Sequence, residues 1–210
     1  MILWTVQHAS VLDEIDKHGV YHTDESHLWV KPEDDDDINH SHYAYLWLCK
    51  QMRKRIGDPP NGVTYPIWAM LKQSGKPDGK PDMRSWGNSA KEPLVRLKLD
   101  VPDYDVLITD FDMWHCVLNY THLPMSEVEF EKLWPQTLTM LGVDERDVRD
   151  WSKKSRELTQ ARKWLESSWD NCIGVNRVNE DWCGAWKDRS FQATFWELKA
   201  EYILSTERFN

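Results

Sequence analysis

The chain has 210 residues, a formal net charge of −9 and 13 tryptophans, so it can bury a substantial core in which indoles supply much of the area. The acidic balance argues against sequence-independent binding to duplex DNA, which needs a basic surface. Without an apolar run near the ~18 residues that span a bilayer, without a signal peptide and without a Cys-x-x-Cys pair, we expect a cytoplasmic protein with reduced thiols and no membrane partner.

The first part of the chain predicts strands that alternate with two helices. Residues 2–7 are typical of a strand that opens the fold. A short helix is expected over 11–18, with Ser10 as its amino-terminal cap and Gly19 as its end. A second helix, rich in aromatic residues, is expected over 39–56.

The middle of the chain predicts three strands and one long loop. Residues 64–70 are typical of a buried strand. The segment 72–93 combines Gly and Pro with charged residues and predicts a loop, and loops of this length are often functional. Residues 94–101 alternate apolar and charged side chains, which indicates a half-buried strand. We expect 106–109 to be its neighbour across a turn.

The last part of the chain predicts helices followed by two strands. Ser126 and Glu129 have the spacing of a capping box, and Pro135 interrupts or restarts the helix that they begin. Apolar residues recur on one helical face over 144–169, which predicts one long helix. Residues 191–209 predict two closing strands.

The order of these elements indicates an α+β fold. We expect a central, mostly antiparallel sheet, continuous or split, built by strands from both ends of the chain. The helical segment at about 126–170 is predicted to be an insertion in a single domain of residues 1–210.

Two common chemistries find little support in the residue pattern. His40 and His42 could bind zinc with a third ligand, but residues two positions apart do not share a helical face. The candidates for that third ligand are His22, His27 and Cys49. Cys116 next to His115 could act as a nucleophile, yet adjacent side chains usually point apart and no orienting acid is identifiable. We therefore predict no metal site.

Acidic residues beside predicted strands have more specific interpretations. Asp110 or Asp112 stands where a strand passes into a helix, and one of them is expected to cap that helix. Glu197 lies among large apolar residues in the segment 191–198, which is itself typical of a strand. A carboxylate in such surroundings either reaches solvent at a sheet edge or needs a partner.

Three segments together resemble a family of bacterial and phage proteins defined as a domain of unknown function (DUF3841-like). The segments are Leu3–Gln7, Tyr65–Ala69 with Arg96–Trp114, and Gln192–Leu198. The resemblance spans nearly the whole chain. It implies a common fold and no particular activity.

The opening of the chain is also similar, more distantly, to ADP-ribosyltransferase-like domains. Those domains begin with a strand that carries a polar NAD contact, here Thr5, and continue through a helix into an Ile-x-x-x-Gly turn, here 15–20. They carry a glutamate on a late strand, in a place comparable to Glu197. Thr5 stands where many of these enzymes have His or Arg, and their middle Tyr or Ser-Thr-Ser motif has no obvious match.

This likeness implies an enzyme that transfers ADP-ribose from NAD to a nucleic acid or protein, in phage–host conflict or a toxin system. Breaking the bond between nicotinamide and ribose builds positive charge on the sugar, which a carboxylate such as Glu197 would stabilise. NAD is expected as co-substrate, with indoles stacking on its rings and a local arginine meeting its phosphates. The predicted contacts are Thr5, Gln7, Trp68, Arg96, Gln192 and Trp196.

The number of tryptophans supports an alternative of a different class. An aromatic-lined cleft suits bases and other flat ligands. The chain would then be a non-catalytic module that recognises a protein or a nucleobase, and the 72–93 loop would be a recognition loop instead of a lid.

Overall fold

The computed structural model describes residues 1–23, 40–85, 93–174 and 180–209. The strands of these residues are β1 (Ile2–His8), β2 (Val20–Tyr21), β3 (Ile67–Lys72), β4 (Leu94–Asp100), β5 (Leu107–Asp110), β6 (Phe191–Phe195), β7 (Leu198–Lys199) and β8 (Ile203–Phe209). The helices are α1 (Ser10–His18), α2 (His40–Ile56), α3 (Phe111–Leu118), α4 (Trp134–Leu141), α5 (Glu145–Arg149), α6 (Arg156–Ser168) and α7 (Glu180–Cys183). A π-helical turn over Glu129–Leu133 leads into α4.

Six strands form one antiparallel sheet in the order β5-β6-β3-β1-β4-β8, and β2 and β7 form a separate two-stranded sheet. Strands from both ends of the chain therefore meet in one sheet, and helices fill the segment between β5 and β6. The predicted α+β fold with a mostly antiparallel sheet is confirmed.

The sheet is closely paired everywhere except between its two middle strands. β1 pairs with β4 along its whole length, from Ile2 opposite Asp100 to His8 opposite Leu94. Its pairing with β3 is confined to Trp4 opposite Met70. The two halves of the sheet consequently separate beyond Trp4, and this opening positions the candidate site.

The two faces of the sheet bury different layers. One face packs against α1, whose Val11, Leu12 and Ile15 join Leu97 and Phe195 in one core cluster. The other face packs, on its β5-β6-β3 half, against the helices of the second core cluster. Alternation along each strand sends neighbouring side chains to opposite layers, so both faces bury apolar residues.

The start of α1 differs from the prediction, whereas its end agrees. Ser10 is already helical, and the cap position is held by Ala9, whose side chain makes no capping bond. The Ser10 hydroxyl instead shares a hydrogen bond of 2.7 Å with His8 Nδ1. Gly19 ends the helix with φ 76° while its N–H donates to the carbonyl of Ile15, a conformation that favours glycine.

The expected pairing of 106–109 with 94–101 is wrong. β5 pairs with β6, with Leu107 opposite Thr194. The reason lies in β4, whose two edges are already occupied by β1 and β8. β3 also begins later than predicted, at Ile67, directly after a proline that lacks the N–H needed for strand pairing.

The long helix predicted over 144–169 is two helices. Asp144 caps α5 and Ser155 caps α6, each by accepting a backbone N–H with its side chain. The break between them is held by the buried Arg162, whose guanidinium donates to the carbonyls of Val148 at 2.9 Å and Asp150 at 2.7 Å. One long side chain thus supplies the donors that continued helix would have supplied.

The capping box and the proline are placed as predicted. The Ser126 hydroxyl accepts the Glu129 N–H at 3.2 Å, and the Glu129 carboxylate accepts the Met125 N–H at 2.7 Å. Pro135 lies in the first turn of α4, directly after the π-helical turn, so it marks the place where the α-helix starts.

Candidate functional site

The opening between β1 and β3 forms a cleft, whose cavity has a volume of about 540 Å³. It begins where the pairing of the two strands stops after Trp4, and residues of β1, β3, β6, α1, α2 and the loop before β4 line it. Among the predicted site residues it brings together Thr5, Gln7, Trp68 and Gln192. Trp68 and Gln192 are distant in sequence from each other and from Thr5 and Gln7, so only the sheet places them together.

A short polar chain links the two strands at the base of the cavity. The Thr5 hydroxyl donates to the carbonyl of Trp68 at 2.7 Å and accepts from Gln7 Nε2 at 2.8 Å. Thr5 is buried. This side-chain bond replaces the backbone bonds that β1 and β3 lack here, and it keeps the opening at a fixed width.

An aromatic cluster forms one side of the cavity. Tyr45 of α2 meets Trp68 edge-on, with ring centroids 6.0 Å apart, and meets Trp114 in the same way. Trp68 and Trp114 lie 5.3 Å apart at a tilt of 45°. Burial raises the pKa of Tyr45, so its phenol stays protonated. Tyr45 and Trp68 therefore give the cavity an aromatic side, against which a planar ring can pack, and Trp114 supports them from behind.

Three buried N–H donors around the cavity have no acceptor among the residues that the structure describes. They are Trp4 Nε1, Trp68 Nε1 and Gln192 Nε2. Trp4 and Gln192 are each only 6% exposed. A buried donor without a partner costs about 1–3 kcal/mol, so buried polar groups are almost always paired. All three belong to residues that line the same cavity, which favours a ligand rich in hydrogen-bond acceptors.

Arg96 lies behind the cavity instead of lining it. It is 8% exposed, donates to the carbonyl of Pro81 at 2.6 Å and forms an ion pair with Glu207. Pro81 itself lines the cavity. The loop that carries it is held close to β3 because Gly79 packs on the Met70 carbonyl, which any Cβ at position 79 would overlap.

Glu197 and Trp196 border a second, smaller cavity of about 120 Å³. The prediction that Glu197 belongs to a strand is wrong, because β6 ends at Phe195. Its carboxylate lies 3.0 Å from His22 Nε2 and 3.5 Å from Lys199 Nζ, and 27% of its side chain is exposed. Trp196 Nε1 donates to the carbonyl of Gly57 at 3.0 Å.

The carboxylate of Asp110 is fully used by the fold. It caps α3 by accepting the N–H groups of Asp112 and Met113, each at 3.0 Å, which confirms a capping role for Asp110 and not for Asp112. It also pairs with Arg189 at 2.7 Å, and both side chains are nearly inaccessible. A group bound on every side has no capacity left for a ligand.

The rejected nucleophile pair is not assembled. Burial and the nearby Asp110 and Asp112 raise the pKa of Cys116, which disfavours the reactive thiolate. The ring of His115 bonds to the carbonyl of Phe111 at 2.8 Å instead of to the thiol. In the described ranges no three His, Cys, Asp or Glu side chains converge as metal ligands, and His27 lies outside those ranges.

Several lining residues were not predicted. Tyr21 and Thr23, on either side of His22, close one end of the cavity, and Tyr45 and Pro81 close others. The aromatic content of the helix 39–56 was the only signal for Tyr45. No sequence pattern predicted Tyr21, Thr23 or Pro81 as lining residues. Bulky or polar side chains beside a strand are equally common in protein cores.

Comparison with known proteins adds one finding. A family model described as "Domain of unknown function (DUF3841)" matches residues 2–204. No curated protein and no solved structure matches the chain. None of the helices in the described parts of the chain is long and apolar enough to cross a membrane.

Proposed function

The chain belongs to the DUF3841 family, and from that premise we propose that it is an ADP-ribosyltransferase-like enzyme that binds NAD in the cleft between β1 and β3. The supporting observation is that three residues lining this cleft carry a buried N–H group without an acceptor in the described chain, beside the aromatic rings of Tyr45 and Trp68. NAD offers what these groups lack: planar rings, a carboxamide oxygen, and ribose and phosphate oxygens.

The size of the cleft suits such a ligand. Its volume of about 540 Å³ falls within the range of small-molecule sites, roughly 300–1,000 Å³. A nicotinamide ring against Trp68 would place its carboxamide oxygen within reach of Gln192 Nε2. Thr5 and Gln7 would remain available, through their oxygen atoms, to accept from ribose hydroxyls.

The chemistry requires a carboxylate, and Glu197 is the proposed one. The C–N bond breaks with its electron pair leaving on nicotinamide, and a nucleophile of the target then attacks the sugar carbon and releases a proton. Glu197 would stabilise the cationic sugar. Glu197 is five positions after Gln192, which is at most about 16 Å of extended chain, so the ligand has to extend from Gln192 toward His22.

Binding and turnover can be tested separately. We expect Glu197→Gln to bind NAD like wild type in calorimetry but to release nicotinamide about 100-fold more slowly. Glu201→Gln changes an exposed carboxylate nearby and serves as the matched control. Equal nicotinamide release by wild type and Glu197→Gln, in the presence of cell extract as target, would remove the enzymatic proposal.

A second candidate function has its own supporting observation. None of the described residues that line the cleft carries a carboxylate, and Glu197 is held at a separate cavity by His22 and Lys199. A non-catalytic module that recognises a nucleobase or a protein is consistent with that arrangement. Stabilisation by nucleobase-bearing ligands in thermal-shift assays, with no nicotinamide release from NAD, would favour this function.

A further inference from the structure

Three cationic side chains surround the indole of Trp4. The Nζ atoms of Lys80 and Lys98 lie 4.9 Å and 5.7 Å from its ring centroid, and the guanidinium carbon of Arg96 lies 5.8 Å away. The sheet explains the grouping, because Trp4 and Lys98 are directly opposite each other on β1 and β4. Cations that gather on one side chain of an acidic chain need an explanation beyond net charge.

Local carboxylates neutralise this group only in part. Glu207 pairs with Arg96 and, at 3.1 Å, with Lys80, and these hydrogen bonds lower the pKa of its carboxyl. Lys98 has no ion-pair partner among the described residues. Three cations therefore face one carboxylate, and the excess of positive charge lies beside an indole that lines the cleft.

Buried N–H donors around Trp4 also favour a ligand with acceptor oxygens. Trp4 Nε1 and Arg96 Nε are both inaccessible, and neither has an acceptor in the described part of the chain. Two N–H groups without an acceptor in the described chain and two half-buried ammonium groups, of which only that of Lys80 has a carboxylate partner, therefore gather around one indole. Phosphate oxygens are the acceptors that such sets of Lys and Arg recognise in proteins.

We infer that the surface around Trp4, where β4 adjoins the cleft, binds the diphosphate of a dinucleotide, with Lys80 and Lys98 beside the cleft and Trp4 Nε1 in its lining as donors. The inference rests on the proposed function for the rest of the ligand, since it places the phosphates relative to the rings at Trp68. It also assigns to Arg96 a supporting role: its guanidinium, fixed by Glu207 and Pro81, adds charge to the site.

The test uses calorimetric titration of the full chain with ADP, NAD and nicotinamide mononucleotide. We expect Lys98→Gln and Trp4→Phe to weaken ADP and NAD about five- to tenfold, because each removes one charge-assisted or buried hydrogen bond. Trp4→Phe keeps the ring and removes only the N–H. Lys163→Gln removes an equal charge from an exposed position of α6 and should bind as wild type does.

A further variant is expected to bind ADP more tightly instead of more weakly. Glu207→Gln removes the one carboxylate that competes with a phosphate for Arg96 and Lys80, and we expect ADP to bind about threefold more tightly. Thermal unfolding of the same sample shows whether the variant is folded. Weaker or unchanged ADP binding by folded Glu207→Gln would contradict the inference.

The outcomes separate the inference from the proposed function. If NAD binds but Lys98→Gln and Trp4→Phe bind it as well as wild type, the diphosphate subsite is overturned and the proposed function stands. If ADP binds with the expected sensitivity and NAD does not, the subsite stands and the proposed function fails. If neither ADP nor NAD binds, both fail.

Discussion

Two buried polar side chains on neighbouring strands are treated in opposite ways. Asp110 ends β5 and Gln192 lies on β6, one position away in the register, and they are 2% and 6% exposed. Asp110 accepts two backbone N–H groups and pairs with Arg189. Gln192 leaves its Nε2 without an acceptor among the described residues and faces the cavity.

Polar groups with partners inside the chain, such as Asp110, stabilise the fold, whereas buried donors without an acceptor, such as Gln192 Nε2, are expected to bind a ligand. At the start of α3, both carboxylate oxygens of Asp110 are bound within the chain, so this cap and ion pair are expected to contribute to stability. In the cleft, three donors are buried without an acceptor in the described chain, and each such donor lowers stability. Stability given up at one place is a common mark of a binding site.

The largest expected effect on stability comes from removing the carboxylate of Asp110. Asp110→Ala leaves the buried guanidinium of Arg189 without its counter-charge and removes the cap of α3. Removal of one partner from a buried ion pair typically lowers the free energy of unfolding by about 3–5 kcal/mol. Urea denaturation followed by circular dichroism measures the loss.

Asp112→Ala is the control for that experiment, because Asp112 is exposed and lies two residues away on the same helix. We expect it to change stability by less than about 0.5 kcal/mol. A loss below 1 kcal/mol for Asp110→Ala would show that the buried pair does not stabilise the fold.

Removal of an unsatisfied donor from the cleft should not lower the stability of the protein. Gln192→Leu replaces a buried amide, whose Nε2 lacks an acceptor among the described residues, with an apolar side chain of similar size. We expect unchanged stability or a gain of up to about 1 kcal/mol, together with the loss of measurable NAD binding. Thermal unfolding and calorimetric titration of the same preparation report both quantities.

Gln160→Leu, on the exposed face of α6, is the matched control and should alter neither quantity. If Gln192→Leu destabilises the protein by 2 kcal/mol or more, the amide has an acceptor inside the fold. The contrast between the two regions would then disappear.

The smallest expected effect concerns His122, an intermediate case. It is buried against Trp134 and Trp164, with ring centroids 5.3 Å and 4.6 Å away, and its Nδ1 has no partner in the described chain. Burial lowers its pKa below the ordinary 6.5, although Glu129 and Glu145 act in the opposite direction. The folded state therefore binds this proton less readily than the unfolded state.

The consequence is a dependence of stability on pH with a definite sign. The contribution of neutral His122 is complete above pH 6.5 and is lost as the pH falls below that value. We expect His122→Phe, which keeps an aromatic ring, to lose less stability than wild type between pH 7 and pH 5. Equal losses in denaturation curves at the two pH values would show that His122 does not contribute.

The helices and strands were largely predictable, and the reasons are local. Gly19 ends α1, Ser126 starts a helix and Asp110 caps α3 through interactions that span at most five residues. The errors arose where a distant partner decided. Arg162 holds the break between α5 and α6, and β8 occupies the edge of β4 that β5 was expected to take.

The candidate site was predicted in its residue types but not in its grouping. Thr5, Gln7, Trp68 and Gln192 do line one cleft, whereas Trp196 and Glu197 border another and Arg96 lies behind the first. Glu197 drew attention as a lone carboxylate among aromatic residues. Its assignment to a strand was wrong because the pattern of alternation carries no mark of where a strand ends.

Hydrophobic periodicity and capping residues, which act over a few positions, were sufficient to establish the α+β class and most element boundaries. Segments far apart in the chain determine the strand order and the gap between β1 and β3. They also determine that, in the described chain, the side-chain N–H groups of Trp4, Trp68 and Gln192 have no acceptor. A hydrogen-bond donor is satisfied or unsatisfied by its neighbours in space. Local sequence does not specify those neighbours, so the binding cleft became visible only in the folded chain.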